Sequence, residues 1–124
     1  MNKTTLIKKN NSMLQKPLEK CHEGKGAVNW TNVLHGSELT DRGVNFFHDD
    51  ILAPGVSIGI HKHTTDEEYY YILSGKGVMT LGDERFDVAA GDITAVFPGG
   101  MHGLENNGKQ NIRIVVISVK TKPN

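Results

Sequence analysis

From Ala27 onward the chain is broken at short intervals by glycine, proline, asparagine and aspartate. The breaks fall at Ala53-Pro54-Gly55, Ser74-Gly75, Gly82-Asp83, Gly91-Asp92, Pro98-Gly99-Gly100 and Asn106-Asn107-Gly108. These residue types tolerate turn dihedrals, and the stretches between them are too short for ordinary helices. Those stretches are rich in β-branched and aromatic residues. They predict strands over 27–34, 43–52, 56–63, 68–73, 77–81, 85–89, 93–97 and 111–120. Turn signals about every 8–12 residues belong to an all-β sandwich or barrel. A closed barrel or jelly roll also removes exposed strand edges, which a set of short strands must do.

A chain of 124 residues is one domain in length, and no internal repeat divides it. Residues 1–26 are polar and rich in Lys and Asn. They read as an N-terminal arm with one helical turn over 13–19, either loose or paired with the barrel of a second subunit. Residues 27–120 then form the barrel and 121–124 a tail. Lys plus Arg and Asp plus Glu both number 14, so there is no basic field for nucleic acid or a membrane surface. Cys21 is the single cysteine and has no intrachain partner. No run approaches the roughly 18 apolar residues of a membrane span. No apolar run follows Lys3, Lys8 and Lys9, so no signal peptide is expected. The expectation is a cytoplasmic protein with no nucleic-acid or membrane partner.

Chemistry concentrates between Gly55 and Gly75, in GVSIGIHKHTTDEEYYYILSG. His61 and His63 are two apart, and residues i and i+2 of a strand share a face. Glu68 opens the next strand, where antiparallel pairing can bring its carboxylate to the same point. His102 follows Phe97-Pro98-Gly99-Gly100-Met101 and offers a fourth ligand from another strand. Three imidazoles and a carboxylate suit Mn, Fe, Co, Ni, Cu or Zn better than Ca or Mg, which prefer oxygen shells. An octahedral ion would keep two positions for water or substrate. A tetrahedral zinc would be filled and structural. Taken singly, a histidine on a strand is more often a hydrogen-bonded core or surface residue than a ligand. The set at linked strand ends points to metal.

These residues resemble a known family. Gly55, His61, His63, Glu68 and Gly75 match the first cupin motif at every position. Gly91, Phe97, Gly99, His102 and Asn106 match the spacing of the second, with Phe97 where the family has proline and the proline at Pro98. The resemblance covers roughly residues 43–119. It implies a double-stranded β-helix (jelly-roll) barrel of the small single-domain cupin type. It also implies one divalent transition metal ion held by His61, His63, Glu68 and His102, and a homodimer. The run EEYYYILSGKG looks like small single-barrel cupins often described as oxalate-decarboxylase-like. Motif spacing selects Glu68 over Glu67, and alternation then turns Tyr70 and Ile72 inward and Tyr69 and Tyr71 outward.

Several other residues are candidates for binding a ligand. Tyr70 either offers its hydroxyl to a substrate or is a core tyrosine. His48 is either a proton carrier near the pocket or a surface residue beside Asp49 and Asp50. Arg113 and Arg42 could each meet a substrate carboxylate if directed inward. Phe46 or Phe47, whichever faces inward, is a pocket wall or core. Gly59 either leaves room in the cavity or marks a bulge. Cys21 and His22 have no partners at useful spacing for a second metal.

Three functional readings follow. One is a metal-dependent enzyme of oxygenase, decarboxylase or isomerase type acting on a small carboxylate or oxygenated substrate. Another is a non-catalytic module that captures a small carboxylate or sugar through the metal. The third is a barrel stapled by structural zinc. A titratable interior residue that is not a ligand would favour the enzyme. Sheet faces carrying Ile58, Ile60 and Tyr69 look too apolar for water and predict a dimer.

Overall fold

The computed structural model describes residues 4–121. They form β1 (Leu14–Glu19), β2 (Ala27–Leu34), β3 (Val44–Leu52), β4 (Ser57–Lys62), β5 (Asp66–Ser74), β6 (Lys76–Leu81), β7 (Glu84–Ala89), β8 (Ile93–Val96), β9 (Met101–Glu105) and β10 (Ile112–Lys120). Short 3-10 turns occupy Asn10–Ser12, Cys21–Glu23 and Gly36–Leu39. One antiparallel sheet runs in the order β1-β2-β3-β10-β5-β8, the other β4-β9-β6-β7. This is the all-β jelly-roll barrel that the turn spacing and the cupin resemblance implied. Of the tail expected at 121–124, only Thr121 lies within the described residues.

Alternation builds the core. On β10, Ile112, Ile114, Val116 and Ser118 are buried, while the residues between them are exposed or partly so. On β5, Glu68, Tyr70 and Ile72 point inward and Tyr71 is exposed. Leu52 joins them from β3, and Met79 and Leu104 meet them from the facing sheet. The floor of the barrel is therefore apolar.

Two expectations needed correction. The arm has no helical turn over 13–19. Instead β1 pairs with β2 of its own chain, from Leu14 opposite Asn32 to Glu19 opposite Ala27. Pro17 fits because β1 is the edge strand, where one missing N–H is harmless. Leu18 packs on the core. Ile58 is not a surface residue: it is 4% exposed and belongs to the core, whereas Ile60 is 55% exposed.

Asn106, which ends the second motif, is a buried knot. Its amide nitrogen donates to the carbonyls of Leu52 (2.9 Å) and Gln110 (2.7 Å). Its oxygen accepts from the Gly108 N–H at 3.0 Å. A single side chain thus ties the end of β3 to the loop before β10.

Candidate metal centre

The direction of His61 is set by a β-bulge. Ile58 pairs with Leu104 and His61 with His102, so Gly59 and Ile60 together oppose Gly103 alone. The extra residue reverses the alternation, and Ile58 and His61 both face inward. Gly59 is required for a second reason: a Cβ there would lie 1.9 Å from the His22 carbonyl oxygen. The bulge also gives the His61 ring an acceptor, because the Gly59 carbonyl takes the Nδ1–H at 2.7 Å. That leaves the Nε2 lone pair aimed into the barrel.

His63 lies one residue past β4 and is clamped by its backbone. Its N–H donates to the Gly100 carbonyl (3.0 Å), and its carbonyl accepts from Gly99 N–H (2.7 Å). Phe97 to Gly100 forms a turn closed by Gly100 N–H to Phe97 O at 2.8 Å. Gly99 has φ of 95°, and a type II turn needs Pro and then Gly at its centre. Pro98 is therefore in the correct place for the turn that delivers His102, and Phe97 at the family's proline position is left 56% exposed.

Glu68 on β5 reaches the same point from the other sheet. Its Oε1 lies 3.1 Å from His102 Nε2 and 3.4 Å from His63 Nε2. Two residues earlier on the same face, Asp66 accepts from His63 Nδ1 at 2.9 Å. Ser118 donates to the other Asp66 oxygen at 2.5 Å, and Asn45 donates to Ser118. Such outer contacts fix the tautomer and orientation of a ligating histidine. Glu67 takes the Tyr69 hydroxyl instead and stays away from the group.

One ligand atom from each of His61, His63, Glu68 and His102 lies within 4.8 Å of all the others. His102 Nε2 is 3.1 Å from the Nε2 of both other histidines. Donors about 2.1 Å from a shared ion sit about 3 Å apart at adjacent positions, so this spacing fits one ion. The proton count fits as well. Burial pushes His61 down to about 4, with the Gly59 carbonyl opposing, so the ring is neutral at pH 7. With His61 and His63 both donating through Nδ1, their Nε2 lone pairs face the cluster. Lone pairs and a carboxylate crowded at 3.1–3.4 Å favour a cation between them. The group could therefore hold a metal ion, as the cupin motifs imply.

The other candidates fall into two groups. Tyr70 is 3% exposed, with its ring 4.6 Å from that of His102. Burial, then the charges of Glu68 and Asp50, push its hydroxyl well above the usual range. His48 points inward, stacked on Phe46 at 4.3 Å and edge-on to Trp30 at 5.1 Å. Burial pushes it down to about 4. Phe46, not Phe47, is the inward phenylalanine and packs on the core. Arg113 departs from expectation. It shares the outer face with Val115 and forms a two-pronged pair with Asp49 at 2.9 and 2.6 Å. Ile112 and Ile114 take the inward positions on either side of it, so it cannot reach the interior. Arg42 is exposed on the turn before β3.

Four residues at this end of the barrel were not legible as site residues. Asp66 had a usable signal, since it shares parity with Glu68. His22 stacks flat on His61, centroids 3.5 Å apart. Cys21 is half-buried near Asp50 and Glu68, and burial raises its thiol. Both sit on a turn where Lys20, His22 and Glu23 adopt left-handed φ of 50°, 50° and 65°. Asp50 is 5% exposed on the inner face of β3, and burial, then Asp49 and Glu68, push it up to about 8.

Comparison with known proteins agrees with this geometry. Residues 50–118 match the Cupin_2 family model, described as a cupin domain. The chain is 28% identical over 116 residues to an oxalate-binding protein of Thermotoga maritima, covering 94% of this chain and 95% of that one. It is 43% identical over 68 residues to an uncharacterized protein of Methanocaldococcus jannaschii, where the match spans 55% of this chain and 54% of the relative. A crystal structure described as a predicted oxalate decarboxylase from Thermotoga maritima superposes with a TM-score of 0.86 at 27% identity, over 94% of this chain and all of that one. The structure of KdgF from a Halomonas species, at 16% identity and a TM-score of 0.72, shares the fold. Barrel, motifs and family match together place this chain in the cupin family.

Proposed function

We propose that this cupin holds one divalent transition metal ion through His61, His63, Glu68 and His102 and uses it to anchor a small carboxylate-bearing ligand. The observation that carries the reading is the convergence of three imidazole Nε2 atoms and a carboxylate oxygen within 4.8 Å. Two of those rings have their tautomers set by Gly59 and Asp66. When bound, the metal supplies Lewis acidity, and a six-coordinate ion keeps two positions for a carboxylate. The oxalate-binding relative supports a ligand of this kind. His61 and His63 orient through their Nδ1 bonds, Tyr70 packs beneath His102, and the apolar floor limits water.

A second reading, a metal-dependent enzyme of oxygenase, decarboxylase or isomerase type, is favoured by Asp50. It is a titratable interior group outside the ligand set, and at about 8 it keeps its proton at neutral pH. A neutral carboxyl beside an anchored carboxylate is a proton source. Arg113 gives neither reading support. A homodimer also belongs to this proposal, favoured by the exposed Ile60, Ile93, Phe97 and Met101.

Three outcomes are expected. His61→Ala should lower metal affinity about tenfold or more while the far-ultraviolet spectrum keeps its β signature. Full metal occupancy in that variant would remove the site assignment. Light scattering in solution should give the mass of two chains, and a monomer at every concentration would count against the dimer. For Asp50, the folded value of about 8 exceeds the ordinary 3.8. Its neutral form therefore stabilises the fold fully below 3.8, and this contribution is lost as pH rises through about 8. The groups that act on it are Asp49, Glu68, Cys21, Tyr70 and the Thr31 N–H. Melting temperature should fall from about pH 5 to about pH 9 more steeply in the native protein than in Asp50→Asn. Parallel curves would show that Asp50 is ionised in the fold.

A further inference from the structure

β2 and β3 present an inward polar patch that the metal group does not use. Trp30 pairs with Asp50, and Asn32 with His48, so these four side chains share one face of the sheet. Asp50 and Asn32 are 5% and 8% exposed. Among the described residues, Trp30 Nε1, Asn32 Oδ1 and Asp50 Oδ1 are buried without a hydrogen-bond partner. Leaving such a group unpaired destabilises a fold. Three on adjacent cross-strand positions of one face are not an accident of packing, since isosteric apolar residues would serve a plain core better. The patch adjoins the metal group: Val116 pairs with both His48 and Tyr70, and the Tyr70 ring is 4.6 Å from that of His102.

We infer that Trp30, Asn32 and Asp50 form a subsite for the hydroxyl groups of a ligand whose carboxylate end is held at the metal centre. The subsite rests on the metal-anchored reading and extends it to a ligand class, a hydroxylated carboxylate longer than oxalate. Length follows from the sheet. β3 and β5 are separated by β10, and neighbouring strands lie about 4.8 Å apart. Asp50 pairs with Ile114 and Glu68 with Ser118, four residues further along β10, so their backbones lie more than about 10 Å apart, further than a two-carbon dicarboxylate spans. Hydroxyls follow from the atoms offered. An indole N–H donates, and an amide oxygen and a carboxyl oxygen accept. A hydroxyl group does both, and a bare alkyl chain does neither.

Trp30 is the only tryptophan in the chain, so its fluorescence reports this subsite. The test titrates Mn2+-loaded protein with oxalate, gluconate and hexanoate, the last matching gluconate in carbon number without hydroxyls. Gluconate should change Trp30 emission and bind about tenfold or more tighter than hexanoate and oxalate, one net hydrogen bond or two being worth that factor. Equal binding of gluconate and hexanoate overturns the subsite. Failure of oxalate and gluconate alike would instead strike the metal-anchored reading. Asn32→Leu should raise the melting temperature of ligand-free protein, because an unpaired acceptor is removed. It should weaken gluconate about tenfold and leave oxalate affinity and metal content unchanged. A variant that weakens both ligands equally, or loses metal, contradicts the assignment. The titration of the native protein decides the matter even if that variant does not fold.

Discussion

One extra residue in β4 determines whether a group able to hold a metal ion forms at all. With plain alternation from Ile58, the inward positions would be Ile60 and Lys62, and both histidines would face away. The bulge opposite Gly103 reverses that parity, so His61 and then His63 turn inward. The same bulge turns the Gly59 carbonyl onto His61 Nδ1. It can exist because Gly59 has no side chain where the His22 backbone approaches. Strand direction, ring tautomer and the docking of the N-terminal turn are thus consequences of one local insertion.

The rest of the barrel divides its interior between two environments. Ile72, Met79, Leu104, Ile112 and Ile114 make a dry floor that holds the two sheets together. Above it the polar groups occur in two rows. One belongs to the candidate metal group, where Gly59 and Asp66 hold the His61 and His63 rings, Ser118 holds Asp66, and His102 Nδ1 is buried without a partner. The other, on β2 and β3, has donors and acceptors without partners. The strained turn at Lys20, His22 and Glu23 covers the same end, where stored strain commonly accompanies function.

Much of this was readable from residue order. Turn residues placed the strands, and β2 falls on the expected 27–34. Motif spacing and two-residue alternation chose Glu68 over Glu67 and turned Tyr70 inward. What was not legible depends on partners far away in sequence. β1 looks like a loose arm because Lys16, Pro17 and Glu19 lie on an edge strand that needs no hydrophobic alternation. Asn32 and Asp50 look like outward residues until their cross-strand neighbours are known. Arg113 sits in an apolar run, yet β10 is covered on one face only, and Asp49 claims the guanidinium on the other.

The proposed chemistry requires one ion among three imidazoles and a carboxylate. X-ray absorption on protein purified without added metal or chelator tests this most directly. The account predicts one divalent transition metal per chain. Its shell should be nitrogen and oxygen at about 2.0–2.2 Å, with the outer-shell scattering of about three imidazoles. A chain free of transition metal, or a shell containing sulfur at about 2.3 Å from Cys21, would contradict it.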